Sequence, residues 1–211
     1  MKPSKLRIFE RRSPVKVLGP YARAVIWVQG CDFGCRGCIV PESWNRDTGE
    51  EVDISELVTW VLNQPNVEGI TLSGGEPMLQ AEALSSLIDQ IRVVTNLGVM
   101  CYTGYRLEYL KSQGDIAQKR LLTKTDLLVD GVYQENLQAD LLWRGSSNQR
   151  LLLLSNRYQE FLQSQADRSA GLEFFLNETG EVGFSGVPTQ SNFRQEFESR
   201  MSQRSVIVNP Q

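Results

Sequence analysis

Histidine is absent from the 211 residues, and cysteine occurs only 4 times. No apolar run approaches the ~18 residues that a membrane helix needs. Without an imidazole, Ser-His-Asp hydrolysis, Cys-His nucleophilic catalysis and histidine-ligated metal centres are excluded within this chain. Basic charge is not in surplus either: Lys+Arg number 22 against 25 Asp+Glu, giving a net charge of −3 and a pI near 5.2. That balance gives no support for nucleic acid or an anionic membrane as the main partner. The stretch Met1 to Pro14 is charged and lacks an apolar h-region, so no secretory signal is expected. The expectation is a cytoplasmic chain, where clustered cysteines serve as ligands or redox groups rather than disulfides.

What is present suits a soluble globular chain: 41% apolar and 22% charged residues, enough for a core without disulfides. The informative stretch is Cys31-Asp32-Phe33-Gly34-Cys35-Arg36-Gly37-Cys38. Before it, Ala24 to Gln29 is apolar and β-branched and predicts a buried strand ended by Gly30. Three thiols therefore hang in a glycine-rich loop from a strand end, where α/β proteins keep their chemistry. Structural zinc takes four Cys or His ligands, and the remaining cysteine, Cys101, lies in a separate predicted strand. Three thiolates suit a [4Fe–4S] cluster with one iron left without a protein ligand. Zinc and a redox dithiol remain the alternatives.

Further elements follow in alternation. Leu6 and Ile8 suggest a short edge strand, and Leu18-Gly19-Pro20-Tyr21-Ala22-Arg23 reads as a turn. Ile39 to Val52 is expected to be loop, with Trp44 packing in the core or lining a cofactor pocket. Asp53 and Glu56 predict a capping box for a helix whose apolar positions are Ile54, Leu57, Val58, Val61 and Leu62. Glu68 to Leu72 is the second core strand, followed by Ser73-Gly74-Gly75-Glu76-Pro77. That string is either a tight turn or a place where backbone approaches a small molecule closely. Leu84, Leu87, Ile88, Ile91 and Val94 give the next helix its apolar stripe, and Gly98 to Thr103 is a third strand containing Cys101 as a buried filler. A helix is expected over Leu107 to Lys119, and a fourth strand over Asp126 to Gly131. The alternation predicts an α/β fold with a parallel sheet flanked by helices.

The Cys31, Cys35, Cys38 spacing, together with Gly74-Gly75-Glu76, resembles the radical S-adenosylmethionine (SAM) superfamily. Gly30-Cys31, Gly37-Cys38, Ser43-Trp44, Thr103-Gly104-Tyr105 and the Arg144 to Arg150 string are similar to the activating proteins of anaerobic ribonucleotide reductase within it. The likeness covers roughly residues 18 to 155 on a count of motifs. It implies an incomplete, open β/α barrel for residues 1–155. It further implies a [4Fe–4S] cluster on Cys31, Cys35 and Cys38, with SAM chelating the fourth iron. Gly37, Cys38, Ile39, Gly74, Gly75, Glu76 and Asp130 are its candidate cofactor-binding positions, Glu76 facing the SAM amino group. Gly37 stands where many members carry an aromatic residue, so the usual contact to adenine is absent.

The implied activity is reductive cleavage of SAM to a 5′-deoxyadenosyl radical that installs a glycyl radical on a partner enzyme. Reduced flavodoxin or ferredoxin would be the electron donor. No catalytic acid or base is required. Asp130 is read as holding the SAM ribose, a cation or a substrate loop, or as capping its own turn. Arg144 is read as a carboxylate binder or as part of a solvated loop. Residues 156–211 form a C-terminal extension: a β-hairpin at about 172–184 around Asn177-Glu178-Thr179-Gly180, covering a sheet edge or docking a partner, and a polar tail over 189–211, read as a frayed helix or a disordered segment. That extension leaves open a radical SAM enzyme acting on another peptide or a small molecule. A non-catalytic zinc-binding module is the reading from another class.

Overall fold

A computed structural model describes residues 3–176 and 180–208. Its centre is a seven-stranded sheet of mixed α/β type. The strands are β1 (Lys5–Val15), β2 (Arg23–Val28), β3 (Glu50–Asp53), β4 (Gly69–Gly74), β5 (Gly98–Thr103), β6 (Leu127–Asp130) and, after a small two-stranded sheet of β7 (Gln138–Leu141) and β8 (Arg144–Ser146), β9 (Arg150–Leu153). Their order is β3-β1-β2-β4-β5-β6-β9. The four central strands β2, β4, β5 and β6 run parallel, and β1, β3 and β9 pair antiparallel at the flanks.

A parallel strand covered on both faces reads as a continuous apolar run, and β2 is buried along its whole length. Ala24, Ile26 and Val28 face the same core as α1 (Ile54–Leu62), α2 (Ala81–Arg92) and α4 (Ile116–Lys124), whereas Val25 and Trp27 pack with Val15, Val17 and Leu18. Cys101 joins the helix-side core, fully buried. Leu84, Leu87, Ile88 and Ile91 fill that core from α2, but Val94 falls beyond the last turn and is exposed.

Several expectations are corrected. β1 is neither short nor an edge, because the segment expected to be loop contributes β3, which pairs with it through Leu6 opposite Val52. Glu50-Glu51-Val52-Asp53 has little intrinsic strand preference; pairing and the Lys5–Glu51 ion pair at 2.8 Å hold it. Asp53 ends that strand and makes no side-chain cap, while Glu56 pairs with Arg11 instead. The helix expected over Leu107 to Lys119 is two: α3 (Leu107–Ser112) and α4, which starts at a true capping box of Asp115 with Gln118. At Gly114 between them, a Cβ would lie 2.4 Å from the Leu110 carbonyl, so the chain turns where a side chain cannot follow.

After α5 (Gln159–Gln163), β10 (Leu172–Leu176) and β11 (Val182–Gly186) pair as the expected hairpin; its turn at Asn177–Thr179 lies outside the described residues. The polar tail contains a formed helix, α6 (Phe193–Ser202). Its Phe193 and Phe197 rings pack on Phe184 of β11 at 5.0 and 5.7 Å. Residues 209–211 of the tail are outside the described residues.

The residue read as the end of a simple turn, Arg23, is completely buried. It opens β2, and all five of its N–H directions find acceptors. Nε donates to Thr71 Oγ1 at 2.6 Å; Nη1 donates to the Pro20 carbonyl and the Tyr158 hydroxyl, each at 3.0 Å; Nη2 donates to the carbonyls of Ile70 at 2.6 Å and Gly98 at 3.1 Å. No carboxylate is among these partners. Burial pulls the guanidinium pKa down, and the Tyr158 contact opposes that pull. Gly69 and Gly98, the first residues of β4 and β5, make room: a Cβ at Gly69 would lie 2.4 Å from Arg23 Nη1 and one at Gly98 only 2.0 Å from the Tyr158 oxygen. Truncating Arg23 leaves buried carbonyls without donors at ~1–3 kcal/mol each. Arg23→Ala should therefore lose at least ~3 kcal/mol of unfolding free energy in denaturant titration. Tyr158→Phe, which removes one bond, should lose ~1 kcal/mol.

Candidate functional site

The cysteine loop is a closed ring of chain with a narrow neck. At the neck, Gly30 N–H donates to Ser43 O at 2.7 Å and Cys31 N–H to Trp44 O at 3.0 Å. Gln29 reaches from the end of β2 across the loop base, its amide donating to the carbonyls of Glu42 at 2.9 Å and Asn45 at 2.7 Å. Inside the ring, Cys38 N–H donates to Cys35 O at 3.0 Å. Gly34 and Gly37 have φ of 56° and 74°, the left-handed region that glycine enters without cost. Phe33 packs edge-on to Tyr105 at 5.0 Å and lies over Gly104, where a Cβ would sit 2.4 Å from the ring.

Cys31, Cys35 and Cys38 are all free and half-buried. Burial raises each thiol, Cys31 to about 11. The Trp44 side chain hydrogen-bonds to Cys38 and, with Arg194, works against that rise. Trp44 thus serves a sulfur, whichever else it packs against. Among the described residues, no three His, Cys, Asp or Glu side chains converge tightly enough to hold a single metal ion. An iron–sulfur cluster makes a different demand, because each thiolate binds its own iron and the sulfurs are spread apart. Soft thiolates in a half-dry loop fit such a cluster, and metal ligation reverses the protonation that burial imposes. Cys101 points into the helix-side core and takes no part.

The second strand end meets the first at this neck. Val28 pairs with Gly74 in the parallel register of β2 and β4. Gly75 N–H donates to Val28 O and Glu76 N–H to Gly30 O, both at 2.8 Å. A Cβ at Gly74 would lie 2.6 Å from Val28 backbone atoms, and one at Gly75 2.3 Å from the Gly30 oxygen. Both glycines are demanded by this approach.

Glu76 is turned inward, 1% exposed. Its Oε1 accepts from Met78 N–H at 2.9 Å and Thr103 Oγ1 at 2.8 Å, and its Oε2 from Gly104 N–H at 2.8 Å. It thereby ties the end of β4 to the end of β5. Thr103-Gly104-Tyr105 serves Glu76 and Phe33 in this way. Burial outweighs the three donors and lifts the Glu76 carboxyl to about 7.

A cavity of about 180 Å³ opens beside the loop. Of the candidate residues, Cys35, Gly37, Cys38, Ile39 and Gly74 line it; Cys31, Gly75, Glu76 and Asp130 do not. Asp130 accepts from Leu107 N–H at 2.8 Å and from Arg106 at 3.3 Å, and pairs with Arg150, joining β6 to the start of α3. Reading the residues in order missed the far walls: Trp27 and Tyr102 from the strands, Tyr133 and Trp143 from the chain around β7, and Phe184 to Pro188 from the extension. The Tyr102 hydroxyl and the Trp143 indole N–H are buried without a partner among the described residues. At Gly37 a Cβ would come within 3.2 Å of the Tyr133 ring and 3.1 Å of the Glu135 carboxylate, so these side chains already fill the space beside the third cysteine.

The Arg144 to Arg150 string is not a solvated loop. Gln149 donates to Gly131 O at 3.0 Å and accepts from Gly145 N–H at 2.9 Å, Asn148 donates to Val132 O at 2.8 Å, and Arg144 pairs with Asp167. The only hint in the sequence was the density of amides and arginines.

Glu76 yields a pH test. Its raised pKa means that folding favours the protonated form, so its contribution is full below the ordinary carboxylate pKa and is lost as pH climbs through about 7. In cluster-free protein the unfolding free energy should decline between about pH 4.5 and 7, by no more than ~3.5 kcal/mol at ~1.4 kcal/mol per unit. Glu76→Gln should flatten that decline, as read by denaturant titrations across the range.

The comparisons with known proteins agree with this geometry. The 4Fe-4S single cluster domain matches residues 17–152. The anaerobic ribonucleoside-triphosphate reductase-activating protein of Enterobacteria phage T4 is 35% identical over 141 residues, covering 64% of this chain and 86% of that protein. The protein of the same name from Haemophilus influenzae is 32% identical over 142 residues, covering 62% and 87%. That of Escherichia coli K12 is 31% identical over 145 residues, covering 64% and 92%. With its three thiols set in one ring of chain and the match running from just before β2 into β9, the chain belongs to the 4Fe-4S single-cluster family of anaerobic ribonucleotide reductase-activating proteins.

Proposed function

We propose that the chain is a radical SAM activase that installs a glycyl radical on a partner enzyme, an anaerobic ribonucleotide reductase. The observation that carries this reading is the set of three free, half-buried thiols on a neck-closed loop, bordered by a cavity and by the side-chain-free backbone of Gly74. The names of the relatives support the choice of partner. What a bound cluster and SAM supply is one-electron chemistry: reductive cleavage to methionine and a 5′-deoxyadenosyl radical, which takes a Cα hydrogen from a glycine.

Cys31, Cys35 and Cys38 would hold the cluster as its three protein ligands, with SAM as the ligand from outside the chain. Gly74 brings backbone without a side chain to the cavity, and Gly75 lets the chain after β4 close on Gly30 beside it. Glu76 keeps the strand ends in register from behind and has one acceptor direction beyond the three donors it already binds. Trp27, Tyr102 and Trp143 give apolar walls that exclude water from a reactive intermediate. In this reading the seven-stranded sheet, ending in edge strands β3 and β9, is the open barrel of the superfamily. Residues 1–155 form the core domain and 156–211 an added one. The site is cytoplasmic and reduced by flavodoxin or ferredoxin; no helix among the described residues is long and apolar enough to cross a membrane. The walls contributed after residue 152 favour one second reading, a radical SAM enzyme acting on another peptide or a small molecule.

Anaerobic reconstitution with iron and sulfide, followed by assay of SAM cleavage under a chemical reductant, tests the proposal. Cys35→Ala should abolish both cluster absorbance and 5′-deoxyadenosine formation, and Cys101→Ala should spare both. Equal loss in the two variants, or zinc in place of iron and sulfide in the native protein, would contradict it. Deuterium passing from a labelled partner glycine into 5′-deoxyadenosine separates the activase from the second reading.

A further inference from the structure

The family match stops at residue 152, yet the chain beyond it returns to the cysteine loop. Arg194, in the first turn of α6, is mostly buried, its side chain 17% exposed. Its Nη1 donates to the Ile39 carbonyl at 2.9 Å and to Glu42 Oε2 at 2.8 Å, and its Nη2 pairs with the other Glu42 oxygen. Its Nε donates to Glu198 at 2.7 Å, one helical turn on. Two parallel N–H···O contacts to one carboxylate are the strong, directional form of this ion pair.

The grip falls at a consequential place. Ile39 follows Cys38 directly, and Glu42 belongs to the short helical turn Pro41–Ser43. The Ser43 carbonyl receives Gly30 N–H at the neck, and the Glu42 carbonyl receives Gln29. The segment from Cys38 to the neck is therefore pinned from inside by β2 and from outside by α6. The helix is itself seated, with Phe193 and Phe197 on Phe184 and Phe197 5.4 Å from Phe174.

We propose that Arg194 is a positioning residue for the cluster: through α6 it fixes the backbone that carries Cys38 and sets a positive charge beside the third thiolate. This rests on the reading of Cys31, Cys35 and Cys38 as cluster ligands. The extension is on that account part of the site rather than an appended tail. A guanidinium near a cluster favours the form with the extra electron, and outer contacts to a ligand's backbone govern how firmly the ligand is held. Glu42 and Glu198 lie on the guanidinium's other faces, so its removal also leaves Glu42 without its partner, which acts on the cluster in the same direction.

The test uses the full chain with Arg194→Met, which is neutral and of similar length, and Arg194→Lys, which keeps the charge without the fork. In cluster-free protein, alkylation by iodoacetamide is followed at each cysteine by mass spectrometry. With rates taken from pH profiles as the rate constant of the thiolate itself, so that loss of the Arg194 charge does not enter, Cys38 should react several-fold faster in Arg194→Met, with Cys31 as the unchanged internal control, and Arg194→Lys should fall between. In reconstituted protein the cluster's midpoint potential should move more negative in Arg194→Met and be largely restored in Arg194→Lys. A folded Arg194→Met with wild-type Cys38 reactivity and wild-type potential would overturn the proposal. Glu42→Gln weakens the same contact from the loop side and decides the matter by alkylation if Arg194→Met does not fold: faster reaction of the Cys38 thiolate supports the proposal and a wild-type rate overturns it. If the native protein takes up no iron and sulfide, the cluster reading fails on its own, and the alkylation ratios still report whether α6 holds the loop.

Discussion

Two parallel strands finish so close together that nothing larger than hydrogen fits between them. β2 and β4 continue their pairing past the ends of the strands: Gly75 and Glu76 donate to Val28 and Gly30, where a Cβ on either Gly74 or Gly75 would overlap backbone. Every part of the site takes its position from that junction. The cysteine ring leaves from Gly30 and returns to it through Ser43 and Trp44. Glu76 fastens the junction to β5 through Thr103 and Gly104, and the cavity opens beside Gly74.

The opposite end of the same strands is secured by a different device. Arg23, Gly69 and Gly98 are the first residues of β2, β4 and β5, and the guanidinium of Arg23 binds carbonyls around the two glycines. A buried cation with no anion is costly unless its donors are all used, and here five neutral acceptors use them. The sheet is thus locked at its N-terminal end by a structural arginine and carries the three-cysteine loop and the Gly74-Gly75-Glu76 turn at the C-terminal end, the division that parallel α/β architectures favour. The chain after residue 152 serves both ends: Tyr158 completes the shell of Arg23, and Arg194 grips the cysteine ring.

Motifs that depend on neighbours in sequence were legible, and partners far apart in sequence were not. Cys31, Cys35 and Cys38, the paired glycines after β4 and the strand–helix alternation all announce themselves by spacing. Arg23 does not, because its meaning lies in acceptors drawn from Pro20 to Tyr158. β3 was hidden since Glu50-Glu51-Val52-Asp53 becomes a strand only by lying along β1. The division of α3 from α4 followed a local rule that was present but outweighed: Asp115 and Gln118 form the capping box that Asp53 and Glu56 do not. Asp53 is occupied as the end of a strand, and sequence offered no sign of that competition.

By itself the sequence determined the chemistry on offer: soft thiolates without any imidazole, on a loop that glycine allows to curl, at the end of a strand too apolar to lie anywhere but the core. These are properties of residue type and short spacing, which need no knowledge of the rest of the chain. Only the tertiary structure decided that Glu76 faces inward, that Tyr133 and Trp143 wall the cavity, and that a polar C-terminal helix holds the third cysteine's backbone. Each of those depends on segments brought together across the sheet, and a side chain's role is set by which donors and acceptors the fold puts within about 3 Å of it.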